Sequence, residues 1–474
     1  MSTAIVWFRR DLRLIDQPAL FYASKHYDQI IALYIHSDDA EYPIGGASRW
    51  WLHHSLSALN ESLEAKQSRL IIRRGSCLEV LEKIIKESGA DAVFWNRLYE
   101  PDIIACDSRI KETLTQKGLI VKSFNASLLN EPWAVTKSDG QPYKVFTAYM
   151  NACIKQFPFA HKPLPTPKTL PNTPDHIKSD SVKKLALLSN MGWDKTFYSC
   201  WQPGEVGAHH ALNRFAKEQV NDYSEARNFP STKGTSLLSP HLAFGEISAH
   251  TIHTALSQDS KKRVNASAYI RQLYWRDFAN YLLFHFPHTI NSPMDKRFIK
   301  FPWRKNTKKE LAAWQRGQTG IPIIDAGMRE LWSTGWMHNR VRMIVASFLC
   351  KNCLITWQQG AQWFWDTLVD ADLANNTMGW QWVAGCGADA APYFRIFNPI
   401  LQSEKFDRDG AYIKKWVPEL ASMPSKYIHA PWQAPSPVLT DSGIRLGKTY
   451  PLPLVDLSQS RTDALTAFSQ IKNS

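Results

Sequence analysis

The stretch Asp366–Trp382, DTLVDADLANNTMGWQW, gathers side chains that could do chemistry. It carries two carboxylates, Asp370 and Asp372, then two adjacent amides, Asn375 and Asn376, and closes on Trp380 and Trp382. Trp365 precedes it and Trp357 lies one segment upstream. Buried carboxylates, amides and indole N–H groups each need a hydrogen-bonding partner. A flat, polar, aromatic ligand would supply them; the plainer alternative is a helix lining a polar core. Trp380 and Trp382 are two residues apart, about 200° around a helix at ~100° per residue. They cannot serve one small site side by side, so each is expected to face a different ligand.

Three further stretches combine residues in the same way. Tyr223 and Arg227 are followed by KGTSLLSPHLAFGEIS (Lys233–Ser248), where Thr235, Ser236 and Ser239 place hydroxyls just before a predicted helix. Hydroxyls and free N–H groups at a helix start bind phosphate well, although Ser239-Pro240 also suits a routine cap with a first-turn proline. In YIRQLYWRDF (Tyr269–Phe278), Gln272 and Trp275 are three apart and share a helix face. An indole beside an amide can stack on a base and bond to its edge; a half-buried Trp on an exposed helix is the structural alternative. In GWMHNRVRM (Gly335–Met343), Asn339, Arg342 and Met343 fall within about one turn. His338 has no ligand-spaced partner, so no metal is expected. Cys350 and Cys353 have no second pair and read as core thiols. No Ser-His-Asp pattern is readable.

These residues need a scaffold, and the chain predicts one in two styles. Strands are expected at Ala4–Phe8, Ile30–Ile35, Arg69–Arg73, Ala92–Trp95 and Ile120–Phe124, with helices at Pro18–Lys25, Ala47–Gln67, Leu78–Ser88 and Ile103–Gln116. Short apolar strands separated by helices imply a five-stranded parallel α/β sheet. Ligands of such sheets bind beyond the strands' carboxyl ends, here Arg9-Arg10-Asp11, His36–Asp39, Arg74-Gly75 and Asn96–Glu100. Neither GxGxxG nor GxxxxGKS is present. Prolines at 158, 163, 165, 167, 171 and 174 break regular structure and suggest a long surface linker. From Trp201 the pattern turns helical, as in Val206–Gln219, Ala268–His285 and Met328–Lys351, with a last helix near Thr462–Ile471. The expected division is an α/β domain over 1–130, a linker over 131–200 and a mainly α-helical domain over 201–474.

Composition narrows the class. A chain of 474 residues with 44% hydrophobic content folds as more than one domain. No apolar run nears the ~18 residues of a membrane span, and the N-terminus lacks a signal-peptide pattern; a cytoplasmic monomer is expected. Seven scattered cysteines read as reduced thiols. The net charge of +13 favours a polyanion partner. Nineteen tryptophans, most of them after residue 270, suit core, base stacking or electron conduction.

Taken together, VWFRRDLRLIDQPAL (Val6–Leu20), SRWWLHHSL (48–56), KGTSLLSPHLAFGEIS, YWRDF, TGIPIIDAGMRELWSTGWMHNRVRM (319–343), DADLANN with GWQW, and APYFRIFNP (391–399) resemble the photolyase/cryptochrome flavoproteins over essentially the whole chain. The resemblance implies FAD in the helical domain. Tyr223, Thr235, Ser236, Leu237, Leu238 and Ser239 match the family's phosphate-side segment. Arg276, Asn339, Arg342, Asp370, Asp372 and Asn376 match its flavin-side contacts, with Arg342 and Asp370 as an ion pair and Asn376 facing flavin N5. Trp380, Trp357 and Trp303 match its electron relay. The implied substrate is UV-damaged DNA, whose lesion must leave the duplex by base flipping. Trp275 and Trp382 would hold the flipped bases, Gln272, Asn339 and Met343 would meet their edges, and Arg227, Arg340 and Arg395 would meet phosphates.

Gln272 stands where many bacterial cyclobutane photolyases resemble one another in carrying Glu. Gln also occurs there in (6–4) relatives, but the paired histidines of that branch are not visible in TGWMHNRVRM. The resemblance therefore favours cyclobutane-dimer repair over (6–4) repair, and Asn376 favours repair over cryptochrome signalling. The antenna implied by the same branch is methenyltetrahydrofolate, with Glu100 as its carboxylate contact; deazaflavin, or no antenna, is the alternative. A basic, Trp-rich single-strand-binding protein without catalysis is the remaining reading.

Overall fold

The computed structural model describes all residues except 38–39, 158–161, 258–259, 391–394 and 473–474, and the side chains of 260–263. Part of the His36–Asp39 strand end, Pro158 and the APYF of APYFRIFNP therefore lie outside the described residues.

The first five strands are β1 (Thr3–Phe8), β2 (Gln29–His36), β3 (Leu70–Arg74), β4 (Ala92–Asn96) and β5 (Ile120–Phe124). They form one parallel sheet in the order β3-β2-β1-β4-β5. The register sets Val6 beside Ala32 on one side and Phe94 on the other. Every residue of β1 and β4 is buried, as expected for strands covered on both faces. The edge strand β5 is half exposed, and its Lys122 and Ser123 dilute the apolar run. Between the strands run α1 (Pro18–His26), α2 (Gly46–Glu64), α3 (Cys77–Ser88) and α4 (Pro101–Gln116). Pro18 and Pro101 sit in the first turns, where a missing N–H costs nothing. Gln17 caps α1 by accepting from the Leu20 N–H at 2.8 Å. Gly89 ends α3 at φ +65°, a conformation that glycine adopts without steric cost. Ile5, Trp7, Ile31, Leu33, Ile71 and Val93 share a core with Leu81, Ile84, Ile110 and Leu114 of the helices.

The proline-rich stretch holds more structure than expected. Residues Phe146–Gln156 form a helix, α5, upstream of the prolines. Phe146, Tyr149 and Cys153 are spaced three and four apart and are fully buried. Ile177, beyond several prolines, joins the sheet core. The stretch expected as a linker, 131–200, thus carries a helix and buried side chains, and it falls within the first compact unit.

Backbone packing divides the chain into two compact units whose segments interleave along the sequence. One comprises Met1–Asn221, Ser236–Pro287 and Val369–Ala374; the other comprises Asp222–Thr235, His288–Leu368 and Asn375–Ser474. The second is helical; among the described residues its only bridge pairing joins Leu446 and Tyr450. The expected continuous segment Met328–Lys351 is broken. A helix over Pro322–Thr334 stops at Gly335, φ +67°, and a new one begins at Asn339. No helix among the described residues is long and apolar enough to cross a membrane.

Candidate functional site

Within the first unit, the carboxyl ends of β1 and β4 are held by a buried polar network. Arg9 pairs with Asp107 at 2.7 Å and donates to the Asn96 carbonyl at 2.6 Å. The Asp11 carboxylate accepts from the side chains of Asn96 (2.6 Å) and Gln17 (2.9 Å), while burial raises its pKa. Arg10 forms an ion pair with Glu100. Burial opposes the Arg10 charge, but Glu100 and then Asp372 offset it and hold the guanidinium above its ordinary pKa. Asp372 therefore belongs electrostatically to the strand ends, and Glu100, buried, already has a cationic partner.

The helix Ser260–His285 carries Gln272, Trp275 and Arg276. Arg276 donates to the Ser127 carbonyl at 2.6 Å. The Gln272 amide folds back onto the Ala268 carbonyl of its own helix at 3.1 Å. Trp275 lies parallel to Phe146 of α5, with ring centroids 3.6 Å apart and planes at 6°. Two residues further along the helix, Asp277 accepts from the backbone N–H groups of Leu129 (3.2 Å) and Asn130 (2.8 Å), and burial pushes its carboxyl up to about 7.

The hydroxyl-rich segment departs from a routine cap. The five-residue helix Ser239–Ala243 starts at Ser239 itself, and its cap position falls on Leu238, which has no capping side-chain bond. Leu237 has φ +56°, a left-handed conformation costly for a branched residue. Ser236 holds this turn by accepting from the Leu238 N–H at 3.2 Å and bonding to the Tyr269 hydroxyl at 3.0 Å.

In the second unit, Tyr223 is buried under the Arg227 guanidinium, 5.4 Å from its ring centroid. Gly234 passes so close to the Ala226 carbonyl that a Cβ would stand 2.4 Å from its oxygen. His338 opens the helix Asn339–Ser347: its Nδ1 accepts the Arg340 N–H at 3.2 Å. Burial, and then the cations Arg340, Arg342 and Arg227, push His338 down to about 4, so it stays neutral and keeps that acceptor. Glu330 accepts from the Tyr412 hydroxyl at 2.6 Å and the His338 N–H at 3.3 Å, and burial pushes it up to about 7. This framework presents exposed Asn339, half-buried Met343, Arg342 donating to the Met337 carbonyl at 2.7 Å, and Arg340. Arg340 bonds to Asn228 at 2.6 Å and lies over the Phe406 ring. Arg395 is exposed, and its carbonyl receives the buried Lys351 ammonium.

The helix Leu373–Ala384 sends its tryptophans apart as its geometry requires. Trp380 is 3% exposed and packs on Phe364 (5.0 Å) and Trp314 (6.2 Å); Trp382 is half-buried and donates to the Asp389 carbonyl at 3.2 Å. Gly360, in the helix Trp357–Thr367, lets the Trp380 ring lie against backbone. Trp357 is buried, as Trp380 is, and Trp303 is half-buried. Asn376 donates to the Ala361 carbonyl at 2.9 Å, which fixes its amide. Trp314 and Gly360 escaped the sequence reading: a lone Trp and a lone Gly carry no spacing signal. Cys350 and Cys353 are buried core thiols, as expected, and among the described residues no cluster suits a metal.

The donor set fits a flavin dinucleotide. Hydroxyls and a strained turn at 235–239 suit its diphosphate, while guanidinium, amide and carboxylate groups suit the edges of a flat heterocycle. A parallel α/β unit accompanied by a helical unit with such donors defines a flavoprotein class. Residues 269–470 match the FAD binding domain of DNA photolyase and residues 4–168 match DNA photolyase. The chain belongs to the DNA photolyase/cryptochrome family. It is 47% identical to a deoxyribodipyrimidine photo-lyase of Agrobacterium fabrum, over 99% of this chain and 98% of that one. It is 37% identical to Cryptochrome-1 of Arabidopsis thaliana, over 99% of this chain and 70% of the relative. A crystal structure of a bacterial class III photolyase from Agrobacterium tumefaciens superposes with a TM-score of 0.96 at 47% identity, covering 100% of this chain and 98% of that one.

Proposed function

We propose that this chain is a deoxyribodipyrimidine photolyase that repairs cyclobutane pyrimidine dimers in UV-damaged DNA under blue light. The observation that carries the reading is the 47% identity to such an enzyme over nearly the full length of both chains. When bound and reduced, FAD supplies the light-driven electron that opens the cyclobutane ring and is then returned.

The chain's own groups bind and position. Tyr223, Thr235, Ser236, Leu237, Leu238 and Ser239 form the phosphate-side segment. Arg276, Asn339, Arg342, Asp370, Asp372 and Asn376 hold the flavin, with the Asn376 amide oriented by the Ala361 carbonyl. Trp303, Trp357 and Trp380 conduct an electron inward to keep the cofactor reduced. Trp275 and Trp382 stack on the flipped bases, while Gln272, Asn339 and Met343 meet their edges. Arg227, Arg340 and Arg395 meet phosphates, and the charge of +13 strengthens that contact. The antenna is methenyltetrahydrofolate, with Glu100 among its contacts. The functional division follows 1–130, 131–200 and 201–474, and the enzyme works as a cytoplasmic monomer.

The test uses UV-irradiated oligothymidine, reduced protein and blue light, with thymine absorbance followed against a dark control. Light-dependent recovery supports the reading. No recovery from protein that binds and photoreduces FAD refutes it; a (6–4) substrate then separates (6–4) repair from photoreception.

A further inference from the structure

We propose that Phe146 is a positioning residue for damaged DNA: it backs one face of Trp275 so that the other face meets a flipped base. The inference rests on the reading of Trp275 as a base-stacking residue. Four observations support it. The Phe146–Trp275 stack, at 3.6 Å and 6°, is closer and flatter than the usual aromatic pair, whose centroids lie about 4.5–7 Å apart. Arg271, one turn before Trp275 on the same helix, sets its guanidinium 4.8 Å from the Phe146 centroid. One helical turn thus grips the Phe146 ring with an indole and a cation. Phe278 meets both rings edge-on, at 5.8 Å from Phe146 and 5.9 Å from Trp275, and blocks sideways escape. Finally, Phe146 is fully buried, whereas Trp275 is only half-buried and keeps surface for a ligand.

A lone indole on a helix can rotate about its side-chain bonds, and a base that stacks on it must stop that motion. The clamp removes this freedom before DNA arrives, which is preorganisation in its simplest form. A flipped base would then extend a column already built from Trp275, Phe146 and Arg271. Phe146 touches neither base nor cofactor in this scheme; it acts through Trp275.

The experiment measures the dissociation constants of a dimer-containing duplex and the same undamaged duplex for full-length FAD-loaded protein. Phe146→Leu and the unbranched, more adaptable Phe146→Met are each expected to weaken damaged-DNA binding about 2- to 12-fold, the worth of an aromatic pair. Undamaged-DNA binding should not change, and Phe146→Tyr should restore the loss. Trp275→Ala should weaken damaged-DNA binding roughly 5- to 140-fold, the worth of a base–aromatic stack. Adding Phe146→Leu to Trp275→Ala should cost nothing more, because the brace has nothing left to hold. Full-affinity Leu and Met variants beside a weakened Trp275→Ala would overturn the role of Phe146. So would an equal loss on both duplexes, or an additive double variant. An unaffected Trp275→Ala would instead overturn the reading of Trp275 on which the proposal stands.

Discussion

Replacing Gly360 with Ala asks whether the Trp380 ring is truly locked. A Cβ built on Gly360 lies 2.1 Å from Trp380 Cη2, 2.4 Å from Cζ3 and 2.7 Å from Cζ2. Carbon atoms in contact sit about 3.5–4.0 Å apart, so the overlap exceeds 1 Å. The ring has little room to retreat. Phe364 meets it edge-on at 5.0 Å, and Trp314 stands at 6.2 Å, held by its indole bond to the Val345 carbonyl at 3.0 Å. Gly→Ala within a helix ordinarily gains about 1 kcal/mol. Overpacking a rigid site costs about 1–3 kcal/mol, occasionally more. An approach of 2.1 Å puts the cost at the upper end, so the balance is a net loss of about 2 kcal/mol, and with it a displaced Trp380. Urea unfolding of Gly360→Ala should show a lowered midpoint at unchanged slope. Adding Trp380→Leu should give back most of the Gly360→Ala penalty, since the overlap disappears. A midpoint at or above that of the parent, or a penalty undiminished in the Trp380→Leu background, would refute the argument that this ring is pinned against the backbone.

Trp380→Phe should slow photoreduction of bound flavin and leave repair by chemically reduced enzyme largely intact; unchanged photoreduction would remove Trp380 from the relay. Glu330, raised to about 7 by burial, holds its proton more tightly in the folded than in the unfolded chain, so its contribution to stability falls as pH rises from about 4.5 to about 7. Glu330→Gln keeps an acceptor for the Tyr412 hydroxyl but cannot titrate, so its stability relative to the parent should rise across that window, at up to about 1.4 kcal/mol per pH unit. A pH-independent difference in denaturant midpoints would contradict the burial of a titrating carboxyl there. Asp277→Ala leaves the N–H groups of Leu129 and Asn130 without their acceptor and should cost about 2 kcal/mol or more. Asp277→Asn, which retains one oxygen, should lose less; equal losses in thermal unfolding would show that the carboxylate's acceptor role is not what matters.

The sheet was legible because parallel strands buried on both faces are written as short, unbroken apolar runs, such as AIVWF and IIALYI. Their order was not, since a run says only that a strand is covered. α5 escaped because the prolines beginning at 158 drew the whole neighbourhood into one proline-rich reading, although they lie after the helix ends at Gln156. The opposed faces of Trp380 and Trp382 followed from helical geometry alone. Phe146, Trp314 and Gly360 could not be singled out, because each matters only through a ring far away in sequence. Ser239 shows a different limit: Ser-Pro is a sound capping signal, yet the helix starts one residue earlier, at Ser239 itself.

The interleaved order of the two units constrains how the molecule can be assembled. A ribosome that has released residues 1–221 has supplied the whole sheet, yet not the helix Ser260–His285 whose Asp277 receives the Leu129 and Asn130 N–H groups. Nor has it supplied Asp372, the carboxylate that helps hold the Arg10 charge. The first unit is finished only when residue 374 emerges, by which time two of the second unit's three segments have already been made. No single cut along the chain separates the units, so neither unit can be obtained intact as one contiguous fragment.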